Sequence, residues 1–442
     1  MVGLAAMLVL PFGLSDGGYF GHSLTALTLA VGAIAGLGVL RTSVVRATWA
    51  LTATTLSLGL LTLWVALSAV WATDGSDVEL ETRRCVVYLA ALMSVVLVAR
   101  EHERAFLLAS TVAVSTVAGV GLCLRAVSGL PHDRFYGTLL SEPVGYPNAM
   151  GELAAAGTVL AVGLAHDAGR RESQMLRALA PVLVLVLGLS GSRGAVLALG
   201  AGVALLVALE EPSARLAQLG TMALAVAVGG CAWGLTAGLG GAGPGLAAAV
   251  VLAASIGAAL PSPGRRAALV LVCVLAIAIG VVVALRPPTT TTSYRAAYWG
   301  AALAEARERP LLGSGAGSFY LSWREHRTVS TNVRDAHSLY LESLSELGPV
   351  GLVLVMAIVA VPLGAAVRRR GDPIAAAAAA GFGVYALHAG LDWDWEMPVV
   401  TLVGLGCAGA LLTRGPRRAS EAGVTTRGGG RDGQNRETRT MA

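Results

Sequence analysis

The chain is poor in charge. Only 13% of its 442 residues are Asp, Glu, Lys or Arg, against about 25% in ordinary soluble domains, and that deficit excludes a water-soluble enzyme of ordinary composition. Lysine is absent altogether, so all 32 basic residues are Arg; the bias by itself fixes no mechanism. Cysteine is scarce as well. Cys85, Cys123, Cys231, Cys273 and Cys407 fall inside apolar runs without CxxC spacing or clustered His, which excludes a disulfide framework and a thiolate metal site. What the chain has in excess is apolar surface: 55% of residues are hydrophobic and the mean hydropathy is +0.69. The solvent for most of such a chain is lipid.

Crossing ~30 Å of hydrocarbon takes roughly 20 apolar residues as a helix, and about fourteen runs qualify as candidates. Their centres lie near Met7, Val31, Leu60, Leu92, Ser115, Val159, Val184, Leu199, Val226, Ala249, Ile277, Met356, Ala380 and Gly406. The expected fold class is an all-α polytopic membrane protein of about fourteen transmembrane helices with a large extracytoplasmic helical loop. The first run, Val2 to Leu14, is short enough to be an interfacial or re-entrant piece instead. It lacks the basic n-region and A-x-A site of a cleaved signal peptide.

Arg in short loops marks the cytoplasmic side of such a chain. Loops holding Arg41 and Arg46, Arg100 and Arg104, Arg170, Arg171 and Arg177, Arg215, Arg265 and Arg266, and Arg368 to Arg370 alternate with the remaining ones. The others, at Asp74 to Glu81, Pro131 to Asn148, Gly191 to Arg193, Arg286 to Glu346 and Asp392 to Glu396, are then extracytoplasmic. This divides the chain into N-terminal transmembrane helices (1–285, about eleven spans), an extracytoplasmic loop (286–346), three C-terminal transmembrane helices (347–413) and a basic tail (414–442). Both termini are expected in the cytoplasm, with the tail disordered near anionic lipid.

The long outer loop has its own pattern. Pro287 and Pro288 followed by four Thr read as a linker. Helical spacing runs from Ser293 to Arg309 with Arg295, Trp299 and Ala302 on one face, and Gly313, Gly315 and Gly317 form a turn. Asp335 stands where an N-cap would open a second helix carrying His337, Leu341, Leu344 and Leu347, ended by Gly348 and Pro349. Two helices joined by a Gly-rich loop are expected.

Cations on the outer side run against the positive-inside trend and need individual accounts. Arg193 sits in the short turn Ser190 to Gly194, where a guanidinium is costly unless it snorkels to the headgroups or meets an anion. Arg295 shares an apolar face with Trp299, and Arg334 offers a similar choice. Arg307 and Arg309 lie among Glu305 and Glu308 as a water-facing surface. His337 is the best-placed base among seven histidines, although a lone His in a helical stripe is commonly a packing residue. Asp392, Asp394 and Glu396, interleaved with Trp393 and Trp395, either orient an Arg or bind sugar, or else belong to an interfacial aromatic belt.

Taken in order, these residues resemble a known family. Tyr294-Arg295-x-x-Tyr298-Trp299, Arg309-Pro310-Leu311-Leu312-Gly313-x-Gly315 and Asp335-Ala336-His337-Ser338-x-Tyr340-Leu341 through Glu346-Leu347-Gly348-x-x-Gly351 resemble the characteristic block of O-antigen ligases and polymerases. Gly145-Tyr146-Pro147-Asn148-Ala149-Met150 and Ser192-Arg193-Gly194-Ala195 resemble two of its upstream elements. The resemblance spans about Pro131 to Gly351. Ser338 stands where many members have Asn, and Tyr146 replaces the first Asn of an N-P-N element. The Asp392 to Glu396 segment looks like an actinobacterial feature, a lineage without lipopolysaccharide, which disfavours a lipid A core acceptor.

The resemblance implies a multi-pass glycosyltransferase of the cytoplasmic membrane that works without a metal ion or other cofactor. Its donor would be an oligosaccharide on undecaprenyl diphosphate, and its acceptor a glycan or cell-envelope hydroxyl at the outer face. Membrane lipid is a further partner, and no nucleic acid is. Arg193 and Arg295 would hold the diphosphate and His337 would take the acceptor proton, with Arg134, Asn148, Arg334, Asp392 and Asp394 as further substrate contacts. A leaving group already carried on lipid needs no nucleotide-binding fold, and the sequence has no P-loop or Rossmann fingerprint. The rival readings are a transporter or flippase of lipid-linked glycan, and a non-catalytic assembly protein. The first predicts ionisable residues at span centres and an internal repeat, whereas Glu152 and His388 fall near span ends.

Overall fold

The computed structural model describes residues 2–19, 48–99, 102–128, 137–238 and 294–413. The expected spans near Val31, Ala249 and Ile277, the linker at Pro287, Arg134, and the tail from Arg414 lie outside these residues. The described residues are helical and contain no strand: α1 (Val2–Gly13), α2 (Trp49–Leu67), α3 (Val78–Ala99), α4 (Glu103–Ser128), α5 (Pro147–Leu164), α6 (Arg170–Ser190), α7 (Arg193–Leu209), α8 (Pro212–Gly238), α9 (Arg295–Glu308), α10 (Phe319–His326), α11 (Leu339–Val367), α12 (Pro373–His388) and α13 (Pro398–Leu412).

Hydropathy and burial sort these helices into shells. Five are long and apolar enough to cross a bilayer: α2 continued to Val70, α3, α4, α6 and α11. Of three shorter apolar helices, α12 and α13 pack against some of these, and α7 lies against α12 and α5. At 12 residues, α1 reaches about 18 Å at 1.5 Å per residue, short of a bilayer core. Helices apolar all round belong in the interior. Accordingly α13 is buried along its whole length and α5 from Ala149 to Leu164, while α2 and α11 expose Leu56, Leu63, Val353 and Met356 at the periphery. A run of small residues, Ala375 to Ala380, lets α12 lie close against α5 and α7. Pro at the first position opens α5, α12 and α13, where its missing N–H is no loss.

The two ends of the bundle differ in chemistry. At one end Arg104 pairs with Glu172 at 2.8 Å, and Arg369 donates to the Ala410 carbonyl and pairs with Asp372 at 2.8 Å. Gly371 N–H there reaches Leu209 O at 2.8 Å. At the other end the segments 72–77, 137–146, 191–192, 294–346 and 389–397 converge. Thr73 N–H bonds Ser314 O at 2.9 Å, Leu140 N–H bonds Leu189 O at 3.0 Å, and Leu339 N–H bonds Ala389 O at 2.8 Å.

Two expectations for residues 286–346 are corrected, and a third holds. Asp335 is not an N-cap: Ser338, in extended conformation at φ −167°, caps α11 by accepting from Leu341 N–H, and the helix starts at Leu339. His337 just before it has φ +55°, a left-handed backbone that no helical turn admits. The loop holds a third helix, α10, between the two expected ones. Its Phe319 and Trp323 pack with Tyr298 and Ala302 in a small satellite core, a tertiary reason for a helix of only 8 residues. Gly348 breaks the run where punctuation was expected, and the apolar run around Met356 resumes as helix directly after it. At φ +67° and ψ −168° it adopts a conformation that is essentially glycine-only, and a Cβ there would lie 2.3 Å from Leu311 O.

Candidate functional site

The convergent end is organised around one carboxylate. Asp392 is completely buried, which is tolerable for a charge only when partners surround it. Its Oδ1 accepts from Tyr146 Oη at 2.8 Å and from Trp393 N at 3.0 Å. Its Oδ2 accepts from Arg295 Nη2 at 2.7 Å and from Asn148 Nδ2. Arg295 also donates from Nε to Leu391 O at 2.7 Å. Burial works against the Asp392 charge, but His337, His388 and Arg295 outweigh it and hold the carboxyl below the usual range.

His337 stands at the edge of this cluster, its Nε2 3.9 Å from Asp392 Oδ1. Its Nδ1 is 3.1 Å from the Asp335 carbonyl. A carbonyl only accepts, so Nδ1 carries the proton and Nε2 keeps a free lone pair. The ring leans on Tyr298 with centroids 5.0 Å apart, and Trp299 Nε1–H donates to the His337 carbonyl at 3.3 Å. Burial lowers the pKa of His337 against the pull of Asp392. The positive φ turns its side chain out of the α11 register toward the 391–393 segment.

A second line lies beside the first. Asp394 Oδ2 is 2.6 Å from His388 Nδ1, and His388 Nε2 is 3.4 Å from Ser192 Oγ. Burial raises the Asp394 pKa while His388 works to lower it. Arg193 follows Ser192 as the first residue of α7, exposed at the end where helix amides point outward. A Cβ at Gly194 would meet Leu391 Cβ at 3.8 Å, so the Arg193 turn rests on the residue whose carbonyl holds Arg295.

Of the residues singled out in the sequence, Asn148, Arg295, His337 and Asp392 are thus gathered in one cluster, with Asp394 and the Arg193 turn alongside. Arg334 is elsewhere, in a half-exposed ion pair with Asp77. Sequence reasoning missed His388 and undervalued Tyr146. His388 looked like an ordinary span-end histidine, and only its position four and six residues before two acids was a signal. Arg84, buried at 1% exposure and paired with Glu81, also went unremarked.

Among the described residues, two groups of side chains have the composition of a cation site. Oxygens of Asp335, Glu342 and Glu396 lie within 4.8 Å of one another, as do ligand atoms of Glu305, Glu325 and His326. In the first group burial pushes Asp335 up to about 7 and Glu396 well above the usual range. Glu342 accepts from Ala336 N–H at 2.6 Å. Shared protons suit these carboxyls, with Arg84 nearby supplying one positive charge.

The fold and this end of the bundle define a polytopic membrane protein with arginine, histidine and carboxylate groups at one end. The family model described as O-antigen ligase matches residues 178–356, which supports assigning the chain to the O-antigen ligase and polymerase family and, in general terms, a membrane glycan ligase or polymerase. No curated protein matches the chain. The matched stretch holds Arg193, Arg295, Arg334 and His337, whereas Tyr146, Asn148 and the whole segment from His388 to Glu396 lie outside it.

Proposed function

We propose that the chain is a glycosyltransferase of the cell membrane that moves an oligosaccharide from undecaprenyl diphosphate to an acceptor hydroxyl at the outer face. The observation that carries this reading is Asp392, one buried carboxylate holding Arg295 at 2.7 Å and lying 3.9 Å from His337 Nε2. A guanidinium and an imidazole that face one carboxylate support the reading of Arg295 as the diphosphate-binding cation and His337 as the base. The arginine-rich loops at the other end of the bundle favour the cytoplasm for that end, so the site faces outward.

In this mechanism Arg295 and Arg193 bind the donor diphosphate, and the α7 amides add positive potential. Asp392 fixes the plane of Arg295, whose second terminal nitrogen has no partner among the described residues. The acceptor hydroxyl donates to His337 Nε2. As its oxygen bonds to the anomeric carbon, the proton passes to Nε2 and the bond to the phosphate oxygen breaks, leaving polyprenyl diphosphate with the electron pair. The arginines stabilise that developing charge, and Asp392 stabilises the imidazolium. Trp393, packed at a 44° tilt against Tyr146 with centroids 4.5 Å apart, offers a face for sugar rings.

The test is transfer by purified protein from a polyprenyl diphosphate oligosaccharide to candidate acceptors, with and without EDTA. Transfer is expected to persist under EDTA and to drop by ~10²-fold or more in His337→Ala, the usual contribution of a positioned base. Loss under EDTA sinks the arginine-only account of the leaving group. Full transfer by His337→Ala removes the base, and growth complementation by that inactive variant points instead to a non-catalytic assembly protein.

A further inference from the structure

Ser192, His388 and Asp394 form a line that no step of the proposed transfer uses. All three are buried, Ser192 at 3% exposure and the two others at 0%. A carboxylate 2.6 Å from Nδ1 puts a proton on that nitrogen and fixes the plane of the ring, so that Nε2 meets the Ser192 hydroxyl across 3.4 Å. The same Oγ accepts from Ala195 N–H at 3.2 Å as the N-cap of α7. Ser192 N–H in turn donates to Ser190 Oγ at 3.3 Å, and Ser190 donates to Leu187 O at 2.7 Å. The turn between α6 and α7 is therefore held at both of its ends.

Close packing serves the same contact. A Cβ on Gly151 would lie 2.5 Å from Ser190 Oγ and 2.9 Å from Ser192 Cβ, and one on Gly194 would lie 3.3 Å from His388 Nε2. The absence of side chains there lets α5 and the imidazole reach the turn. Although a serine, histidine and aspartate in line are the parts of an activated nucleophile, Ser192 is enclosed and its hydroxyl is committed within the protein. No glycan reaches it.

What the line can do is fix Arg193, the next residue. We infer that His388 and Asp394 are positioning residues for Arg193, acting through the Ser192 cap. Asp392, two residues earlier, holds Arg295, so one short segment between α12 and α13 sets both arginines toward a single anion. Leu391 joins the two halves, its carbonyl on Arg295 Nε and its side chain against the Gly194 position. The inference rests on the reading of Arg193 and Arg295 as diphosphate-binding groups.

The test is a pair of double-mutant cycles on the full chain in nanodiscs, with undecaprenyl diphosphate as the binding probe. His388→Ala is expected to weaken binding about tenfold, as removal of a group that orients a ligand-holding one does, and to leave transfer at saturating donor within about threefold. Added to Arg193→Ala it should weaken binding less than about twofold further, and added to Arg295→Ala it should act in full. Ser192→Ala, a smaller perturbation, should follow the same pattern if His388→Ala does not fold. Equal additivity on both arginines, or a loss confined to kcat, overturns the inference while leaving the diphosphate reading intact. If neither Arg193→Ala nor Arg295→Ala weakens binding, the diphosphate reading fails and the inference with it.

Discussion

Asp392 Oδ2 and Arg295 Nη2 meet at 2.7 Å across 97 residues of sequence. The carboxylate is fully buried while the guanidinium keeps 30% of its side-chain surface, so the pair is anchored on one side and open on the other. Replacing Asp392 with Asn keeps the shape and removes the charge that orients Arg295 and supports an imidazolium. Transfer is expected to fall by about 10²-fold in a protein that still elutes as a single species. Unchanged kcat/KM in Asp392→Asn would show that the pair is architectural only.

Arg295 uses its Nε and one terminal nitrogen at once, on Leu391 O and on Asp392. Lysine offers a point charge and cannot span both acceptors while facing a ligand. Arg295→Lys should therefore raise the donor KM by about tenfold or more, read from initial rates at varied donor concentration. A donor KM equal to that of the unmodified protein argues against a bidentate role.

The pH profile follows from His337, which burial holds below the ordinary imidazole value near 6.5. The base form then predominates at neutral pH, and kcat/KM declines as pH falls through the lowered value. In His337→Ala that acid limb should vanish along with most of the activity. Stability runs the same way. The unfolded chain takes up this proton at a higher pH than the folded one, so the contribution is full above the unfolded value and is lost as pH falls below it, until the folded value is passed. An acid limb that persists in His337→Ala assigns it to another group.

Gly348 combines φ +67° with a backbone oxygen 2.3 Å from where a Cβ would stand. Gly348→Ala should cost on the order of 1–3 kcal/mol and lower Tm by several degrees, because Leu311 O cannot retreat without moving the Gly-rich loop. An unchanged Tm would mean that the 310–317 loop is looser than its packing on the α11 break implies.

Much of the helical framework was legible because hydropathy is a property of composition over windows of roughly 20 residues. Runs centred on Leu60, Leu92, Ser115, Val184 and Met356 correspond to the five helices long and apolar enough to span. Local signals also gave α9 within about two residues and the glycine break at 348. They misplaced the cap at Asp335 because Asp and Ser are both good N-caps, and the choice fell to how residues 335–337 are packed. They missed α10, whose 8 residues carry too little periodicity to be read without knowing that Tyr298 covers Trp323.

The sequence by itself determined the solvent, through scarcity of charge, and the suspicion that falls on Arg193, Arg295 and His337, since guanidinium and imidazole groups between apolar runs need a reason to be there. Only the tertiary structure decided who answers those charges. The partners of Arg295, His337 and Ser192 come from a segment 55 to about 200 residues further on, and no sequence window spans such distances. Burial then makes the choice specific: a carboxylate at 0% exposure must be met by named donors at fixed positions, which is why Asp392 and Asp394 belong to the site rather than to a solvated loop.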